Sequence, residues 1–154
     1  MLPALEFLPY NPTRHEAAVR RLFHSNVPRY FVPQEEADLL DYLGSGHPYF
    51  VAFEGEQAVA AGGYALNGPH AALTWGMVDG ARHGQGIGRA FTEFRLIEAA
   101  RAYPHLPVEI ETSQHTAAFY EKLGFQLTEP PAVDYWAPGL HLYRMRLELR
   151  TSPA

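Results

Sequence analysis

The chain has 154 residues, of which 47% are hydrophobic and 19% are charged, and its net charge is −5. This length predicts one domain over residues 1–154, and the composition excludes a chain that is disordered throughout. The absence of cysteine excludes disulfides and a cysteine nucleophile, and the negative charge argues against nucleic-acid and membrane partners.

The start of the chain has no targeting pattern. Its first residues include Glu6 and two prolines, where a secretory signal needs a basic segment and a long apolar run. No stretch reaches the roughly 18 consecutive apolar residues of a membrane-spanning helix. We therefore expect, by default, a cytoplasmic protein.

The first half of the chain predicts a strand, two helices and a meander. Residues 4–8 alternate weakly and predict an edge strand, and Thr13 is the predicted N-cap of a helix that ends before Pro28. A second helix is predicted over Gln34–Leu43, where a Gly-Ser-Gly segment ends it. Three β-type runs separated by turn sequences then predict antiparallel strands over 49–53, 58–66 and 71–78.

The second half predicts a crossover and closing strands. From Gly86 to Ala102 apolar residues recur every three or four positions, which predicts a long helix. The further predicted elements are a strand over 107–112, a helix over 114–123, a strand over 125–128 and a final strand over 140–149. Strand 71–78, the long helix and strand 107–112 have the layout of a right-handed parallel crossover. The prediction is therefore a mixed α/β sheet flanked by helices.

The most informative segment joins the meander to the long helix. Gly84, Gly86 and Gly88 stand there at alternate positions. The unpaired N–H groups and positive dipole end of a helix start suit a phosphate, and glycines let its oxygens approach closely. Arg89 stands where a Rossmann pattern needs glycine, and no P-loop string occurs. The alternative interpretation is a connection that only needs left-handed residues.

Two segments resemble motifs of the GNAT-type N-acetyltransferases. His83–Gly88 resembles the acyl-CoA loop of that family, which is Arg or Gln, two residues, Gly, one residue, then Gly or Ala; His83 replaces the Arg or Gln. Ser113–Phe125 resembles the family's second cofactor motif, with Ser113 in place of Asn and Thr116 in place of Ala. The resemblance spans residues 4–149. It implies a GNAT-like fold, with a mostly antiparallel sheet, a splayed parallel pair and about four helices.

The resemblance also implies acetyl-CoA as the acyl donor. A backbone amide near Val78 would hold the oxyanion of the reacting thioester. As alternatives to cofactor binding, Phe119 could pack in the core and Lys122 could lie on a solvent-exposed helix face. The implied cofactor-binding residues are Met77, Val78, Asp79, His83, Gly84, Gln85, Gly86, Ile87, Gly88, Arg89, Ser113, Phe119, Tyr120 and Lys122.

Candidate catalytic residues follow on the next strand and helix. Tyr120 is the predicted general acid, because a phenol with a pKa near 10 can protonate a leaving thiolate; the alternative is a core aromatic. Glu109 and Glu111 share one strand face and are candidates for the general base, acting directly or through water. Alternating carboxylates are also typical of a strand face in contact with solvent.

The acceptor is expected to be a primary amine of a small molecule or peptide. Residues 132–141 are rich in side chains that line pockets, although a surface turn is equally consistent. No metal site is predicted, because the histidines lack ligand spacing. The acidic net charge favours a cationic acceptor, and dimers are common in such folds. The predicted acceptor-site residues are Tyr30, Phe31, Trp75, Tyr135 and His141.

The sequence thus predicts an acetyl-CoA-dependent N-acetyltransferase that works by direct attack in a ternary complex. One alternative is a catalytically degenerate relative that binds acyl-CoA as a sensor or interaction module. Another is an α/β protein that binds a small ligand unrelated to CoA.

Overall fold

The computed structural model describes residues 4–148, which form eight strands and four α-helices. A short 3-10 turn over Gly80–Arg82 precedes the third helix. The elements in chain order are β1 (Glu6–Pro9), α1 (Pro12–His24), α2 (Glu35–Leu43), β2 (Tyr49–Glu54), β3 (Gln57–Asn67), β4 (His70–Val78), α3 (Ile87–Ala102), β5 (Val108–Thr112), α4 (Ala117–Lys122), β6 (Gln126–Leu127), β7 (Ala132–Ala137) and β8 (Leu140–Leu147).

The sheet is mostly antiparallel and contains one parallel pair. Strands β2 to β4 form the predicted meander, and β1 is the predicted edge strand, paired antiparallel with β2. β5 runs parallel to β4, and β8 runs antiparallel to β5. β6 and β7 both pair with β8. The predicted mixed α/β architecture with a parallel pair and four helices is therefore confirmed.

Helices cover both faces of the sheet because neighbouring strand residues point in opposite directions. Val51 packs with α1 and α2, whereas Ala52 packs with Ile87 and Phe91 of α3. Short α4 joins the core around β5 through Tyr120. No helix within residues 4–148 has the length and apolar character needed to cross a bilayer.

The parallel pair is short and opens toward the carboxyl ends of its strands. β4 and β5 pair only at Ala71 with Val108 and at Ala72 with Glu109. Beyond these pairs the two strands separate. Because the carboxyl ends of parallel strands meet at the same edge, the glycine loop after β4 and Ser113 after β5 flank one opening.

Two predicted helix starts were wrong. α1 is capped by Asn11, whose side chain accepts a hydrogen bond from Arg14 N at 3.0 Å, so Thr13 lies inside the helix. Pro12 fits this first helical position because it lacks an N–H that would need a partner. α4 begins at Ala117 rather than residue 114, because Thr116 N and Ala117 N donate to Ser113 O in a turn.

Near the end of the described chain, two elements differ from the prediction. Residues 132–137, read as a connection, form strand β7, which pairs irregularly with β8. Asp134 has a φ of 58°, which interrupts the alternation that would have marked a strand. The predicted strand over 125–128 is shortened to β6, and β8 ends at Leu147; the predicted end at Leu149 lies outside the described residues.

An arginine of α3 enters the sheet beside the opening. Arg95 is 1% exposed, and its guanidinium donates to Gly63 O at 3.2 and 3.0 Å and to Thr74 O at 2.9 Å. A Cβ on Gly62 would lie 2.7 Å from Arg95 Cζ, and one on Gly76 would lie 2.5 Å from Nη1. These two glycines therefore make the space that the guanidinium occupies.

We expect Gly76→Ala to lower the free energy of unfolding by about 1–3 kcal/mol, since the added methyl group overpacks the guanidinium of Arg95. Urea unfolding measures the change. Gly44→Ala is the control, because its Cβ would lie 3.6 Å from two carbonyl oxygens, an ordinary contact. Equal losses in the two variants would contradict the prediction.

Candidate functional site

A cavity of about 910 Å³ lies in the gap between β4 and β5. It is lined by residues from the segments that the sequence analysis assigned to the site: the glycine loop, the start of α4, the β5 carboxylates and the aromatic residues after α1. The predicted residues that line it are Tyr30, Phe31, Trp75, Met77, Val78, His83, Gly84, Gly86, Gly88, Arg89, Glu109, Glu111, Ser113, Phe119 and Tyr120.

The glycine loop borders the cavity at the start of α3. Gly84 and Gly86 have φ values of 79° and 84°, a region that favours glycine, and Gly86 is the N-cap. The first N–H groups of a 16-residue helix therefore face this edge of the cavity. Arg82 also lines the cavity, and Glu54 and Gln85 hold its side chain at 2.9 and 2.7 Å.

The end of β4 directs backbone polar groups into the gap. Asp79 N donates to Val59 O on β3 at 2.8 Å, so Val78 presents its N–H and C=O to the opposite side, toward the gap. Val78 O accepts from Asn26 Nδ2 at 2.9 Å and from His83 Nε2 at 3.0 Å. The His83 ring must carry its proton on Nε2, because a carbonyl oxygen only accepts.

Tyr120 lies in the wall of the cavity beside Arg95. Its side chain is buried, which raises the pKa of the phenol, while the positive charge of Arg95 acts in the opposite direction. Phe119 packs edge-on against Tyr120, with ring centroids 5.0 Å apart. The structure therefore brings a buried phenol and a buried cation together at the cavity.

Glu109 and Glu111 share one face of β5, as predicted, and each forms ion pairs with β8. Arg146 donates to Glu109 at 3.0 Å, and His70 lies 3.3 Å from the same carboxylate. Arg144 donates to Glu111 at 2.6 and 3.0 Å. Both carboxylates line the cavity but are already engaged by cations.

Aromatic side chains form another part of the cavity wall. Phe31 stacks on Trp75 with centroids 5.8 Å apart and ring planes 26° apart. Tyr30 packs edge-on against His83 at 5.1 Å and His115 at 5.9 Å. Tyr30 therefore spans the cavity from the glycine loop to the turn before α4.

Two acidic residues of α2 were missed by the sequence analysis. Glu35 and Asp38 line the cavity with Tyr42, whose hydroxyl hydrogen-bonds Thr74 Oγ1 at 2.6 Å. Their spacing of three and then four residues places them on one helix face, and this pattern was the available signal. Burial raises the pKa of Glu35, as does the charge of Asp38, while the Val32 N–H opposes the shift.

Six predicted residues do not line the cavity. Asp79 caps the 3-10 turn and pairs with Arg21 at 3.3 Å, and the side chain of Ile87 is in the core. Tyr135 is 58% exposed on β7. Its neighbour Trp136 lines the cavity instead, with Nε1 donating to Thr112 O at 3.2 Å. The others outside the cavity are Gln85, Lys122 and His141.

The comparison with protein families matches residues 18–149 to the family described as "Acetyltransferase (GNAT) domain". This match covers most of the chain. No curated protein sequence matches it.

Solved structures share the fold over nearly the whole chain. The ribosomal-protein-S18-alanine N-acetyltransferase from Escherichia coli is 19% identical with a TM-score of 0.76, covering 98% of this chain and 99% of that chain. The protein yncA from Salmonella typhimurium, solved with its cofactor acetyl-CoA, is 18% identical with a TM-score of 0.72, covering 98% and 97%. An aminoglycoside 6'-N-acetyltransferase complexed with coenzyme A is 13% identical with a TM-score of 0.73, covering 97% and 99%.

The raised pKa of Glu35 predicts a pH-dependent stability. The folded state binds this proton more tightly than the unfolded state, so stability falls as pH rises from about 4.3 through the raised pKa. Glu35→Gln removes the ionisation. We therefore compare the free energy of unfolding of Glu35→Gln with that of the wild type at two pH values. We expect the difference, variant minus wild type, to be more positive at about pH 7 than at about pH 4.

Urea unfolding at the two pH values measures this difference. Glu56→Gln, in the exposed turn between β2 and β3, controls for the loss of one negative charge. If the free energies of unfolding of Glu35→Gln and wild type differ by the same amount at both pH values, the raised pKa of Glu35 is contradicted.

Proposed function

The chain belongs to the GNAT acetyltransferase family, and on that premise we propose that it transfers an acetyl group from acetyl-CoA to a primary amine. The amine attacks directly while both substrates are bound. One observation carries the proposal: a single cavity holds the glycine loop, the inward-facing Val78 N–H and the buried Tyr120 phenol. Phosphate binding, oxyanion stabilisation and proton donation are thereby available along one gap.

The loop at the start of α3 binds the pyrophosphate of the donor. A Cβ on Gly84 would meet no atom within 4 Å, so the backbone there is open to an approaching phosphate. Helix-start N–H groups bind the phosphate oxygens, and Arg82 and Arg89 add positive charge nearby. The gap between β4 and β5 then accommodates the rest of the donor.

The reaction forms a C–N bond at the thioester carbonyl and breaks its C–S bond, and the attacking nitrogen releases its extra proton to water to become the amide. Val78 N–H donates to the carbonyl oxygen as that oxygen gains negative charge, and such a donor typically contributes about 2.7–4 kcal/mol. Tyr120 gives its hydroxyl proton to the departing sulfur. Burial keeps this phenol protonated at neutral pH, as a proton donor requires.

The ammonium form of the acceptor must lose a proton before it attacks. Glu35 is the carboxylate best suited to receive it, because it lines the cavity and its raised pKa makes it a stronger base than an exposed carboxylate. Glu109 and Glu111 remain candidates that act through water, since their ion pairs with arginines make them weaker bases.

Carboxylates on α2 and β5 face the acceptor half of the cavity. Four line it, namely Glu35, Asp38, Glu109 and Glu111, while Arg144 there is paired with Glu111 and Glu129. This distribution favours an amine that enters with a positive charge, and the wall of Phe31 and Trp75 suits an apolar or flat portion of the molecule.

A domain that binds acyl-CoA without turnover is the second candidate. The observation that favours it is that both β5 carboxylates are held by arginines. The two candidates share the donor site and differ in turnover with an amine.

CoA binding tests the donor site. At about 100 times its dissociation constant, CoA should stabilise the protein by about 2.7 kcal/mol. Gly86→Ala should weaken binding about tenfold, because alanine is strained at a φ of 84° and the loop amides are displaced.

Calorimetry with CoA measures both effects. Gly46→Ala is the matched control, because Gly46 has a similar φ of 82° but does not line the cavity. Absence of binding by the wild type, or equal losses in the two variants, would contradict the donor site.

Tyr120→Phe tests the general acid. Turnover is followed as CoA release with a panel of primary amines, and we expect kcat to fall by about 10²-fold or more while CoA affinity is retained. Tyr143→Phe, on β8 and outside the cavity, is the control. Absence of wild-type turnover with every amine would favour the second candidate, and an unchanged kcat in Tyr120→Phe would exclude Tyr120 as the acid.

A further inference from the structure

Arg95 is a buried cation to which the reaction described above gives no part. Only 1% of its surface is exposed, yet it lines the cavity. Among residues 4–148 no carboxylate lies within ion-pair distance of its guanidinium. A buried charge without a counter-ion is costly, so its retention calls for a physical explanation.

Carbonyl oxygens satisfy part of the guanidinium. Nε and Nη2 donate to Gly63 O, and Nη2 also donates to Thr74 O. Nη1 points toward Gly76, where a side chain would have no room. These contacts fix the position of the charge within the sheet.

The titratable groups that face Arg95 are phenols on three elements. Tyr42 of α2 hydrogen-bonds Thr74 Oγ1, and Tyr49 of β2 donates to Trp75 O at 2.9 Å, so both hydroxyls have partners in β4. Tyr120 of α4 lines the cavity and lies close enough to Arg95 for the guanidinium charge to oppose the rise in the pKa of its phenol. Loss of the Tyr120 proton would place a phenolate directly beside the guanidinium.

We propose that Arg95 is a positioning residue for acyl transfer: it orients the Tyr120 hydroxyl and stabilises the phenolate that remains after proton donation. This inference rests on the proposed function. The O–H bond of Tyr120 breaks, an S–H bond forms on the departing CoA, and the negative charge moves from sulfur to the phenol oxygen beside Arg95. Water returns a proton to Tyr120 before the next turnover.

A purely structural role for Arg95 is the competing explanation, because the same side chain ties β3 to β4. Stability alone does not separate the two roles, since any loss of the guanidinium removes its hydrogen bonds to carbonyls. The separation comes from coupling: a residue that acts through Tyr120 has no further effect on kcat once the Tyr120 hydroxyl is gone.

The test is a double-mutant cycle with Arg95→Gln and Tyr120→Phe in the full chain, assayed by CoA release. We expect Arg95→Gln to lower kcat about tenfold, with a much smaller change in the KM for acetyl-CoA. In the Tyr120→Phe background the same substitution should leave kcat unchanged. An equal loss of kcat in both backgrounds would overturn the proposal.

Arg95→Lys provides the rescue and the second variant. It keeps a positive charge on an apolar stem, and we expect it to retain more of kcat than Arg95→Gln. If Arg95→Gln does not fold, Arg95→Lys carries the same cycle, and failure of both to fold would establish the structural role instead. An unchanged kcat in Tyr120→Phe alone would refute Tyr120 as the general acid of the proposed function. That outcome differs from the one that overturns the role of Arg95, in which Tyr120→Phe lowers kcat but Arg95→Gln lowers it equally in both backgrounds.

Discussion

The hydrogen bonds of buried Arg95 to the carbonyls of Gly63 and Thr74 tie α3 to β3 and β4 at the site where the sheet opens. Transfer of an unpaired charge from water costs several kcal/mol, and carbonyl dipoles offset only part of that cost. Glycines at 62 and 76 are required because larger residues would collide with the guanidinium. About two turns separate Arg95 from Ile87, so one helix links the glycine loop to the Tyr120 side of the cavity.

Much of this arrangement could be predicted from the sequence because its signals are local. The spacing of apolar residues located α3, and the glycines before it indicated a helix start suited to phosphate binding. The motif around Tyr120 placed that residue beside the same gap. Strand β7 was missed because its alternation breaks at Asp134, and the N-cap was misassigned because Asn11 precedes a proline that is itself part of the helix.

Features that depend on distant partners were not accessible from the sequence. The pairing of Glu109 and Glu111 with Arg146 and Arg144 depends on the register of β5 against β8, and the paired residues lie more than 30 positions apart in the chain. Burial of Arg95 depends on the space left by Gly62 and Gly76, which lie on two different strands. The position of Glu35 on the cavity depends on how α2 packs. Of these features, only the position of Glu35 had a sequence signal, which was its spacing with Asp38 on one face of α2.

The two-residue pairing of β4 with β5 has a mechanical consequence. The sheet consists of a half from β1 to β4 and a half from β5 to β8, and few backbone hydrogen bonds join them directly. Small rotations of one half relative to the other would change the width of the gap most at its open end. A ligand bound in the gap would contact both halves and restrict their relative rotation, so ligand binding would make the whole sheet more rigid.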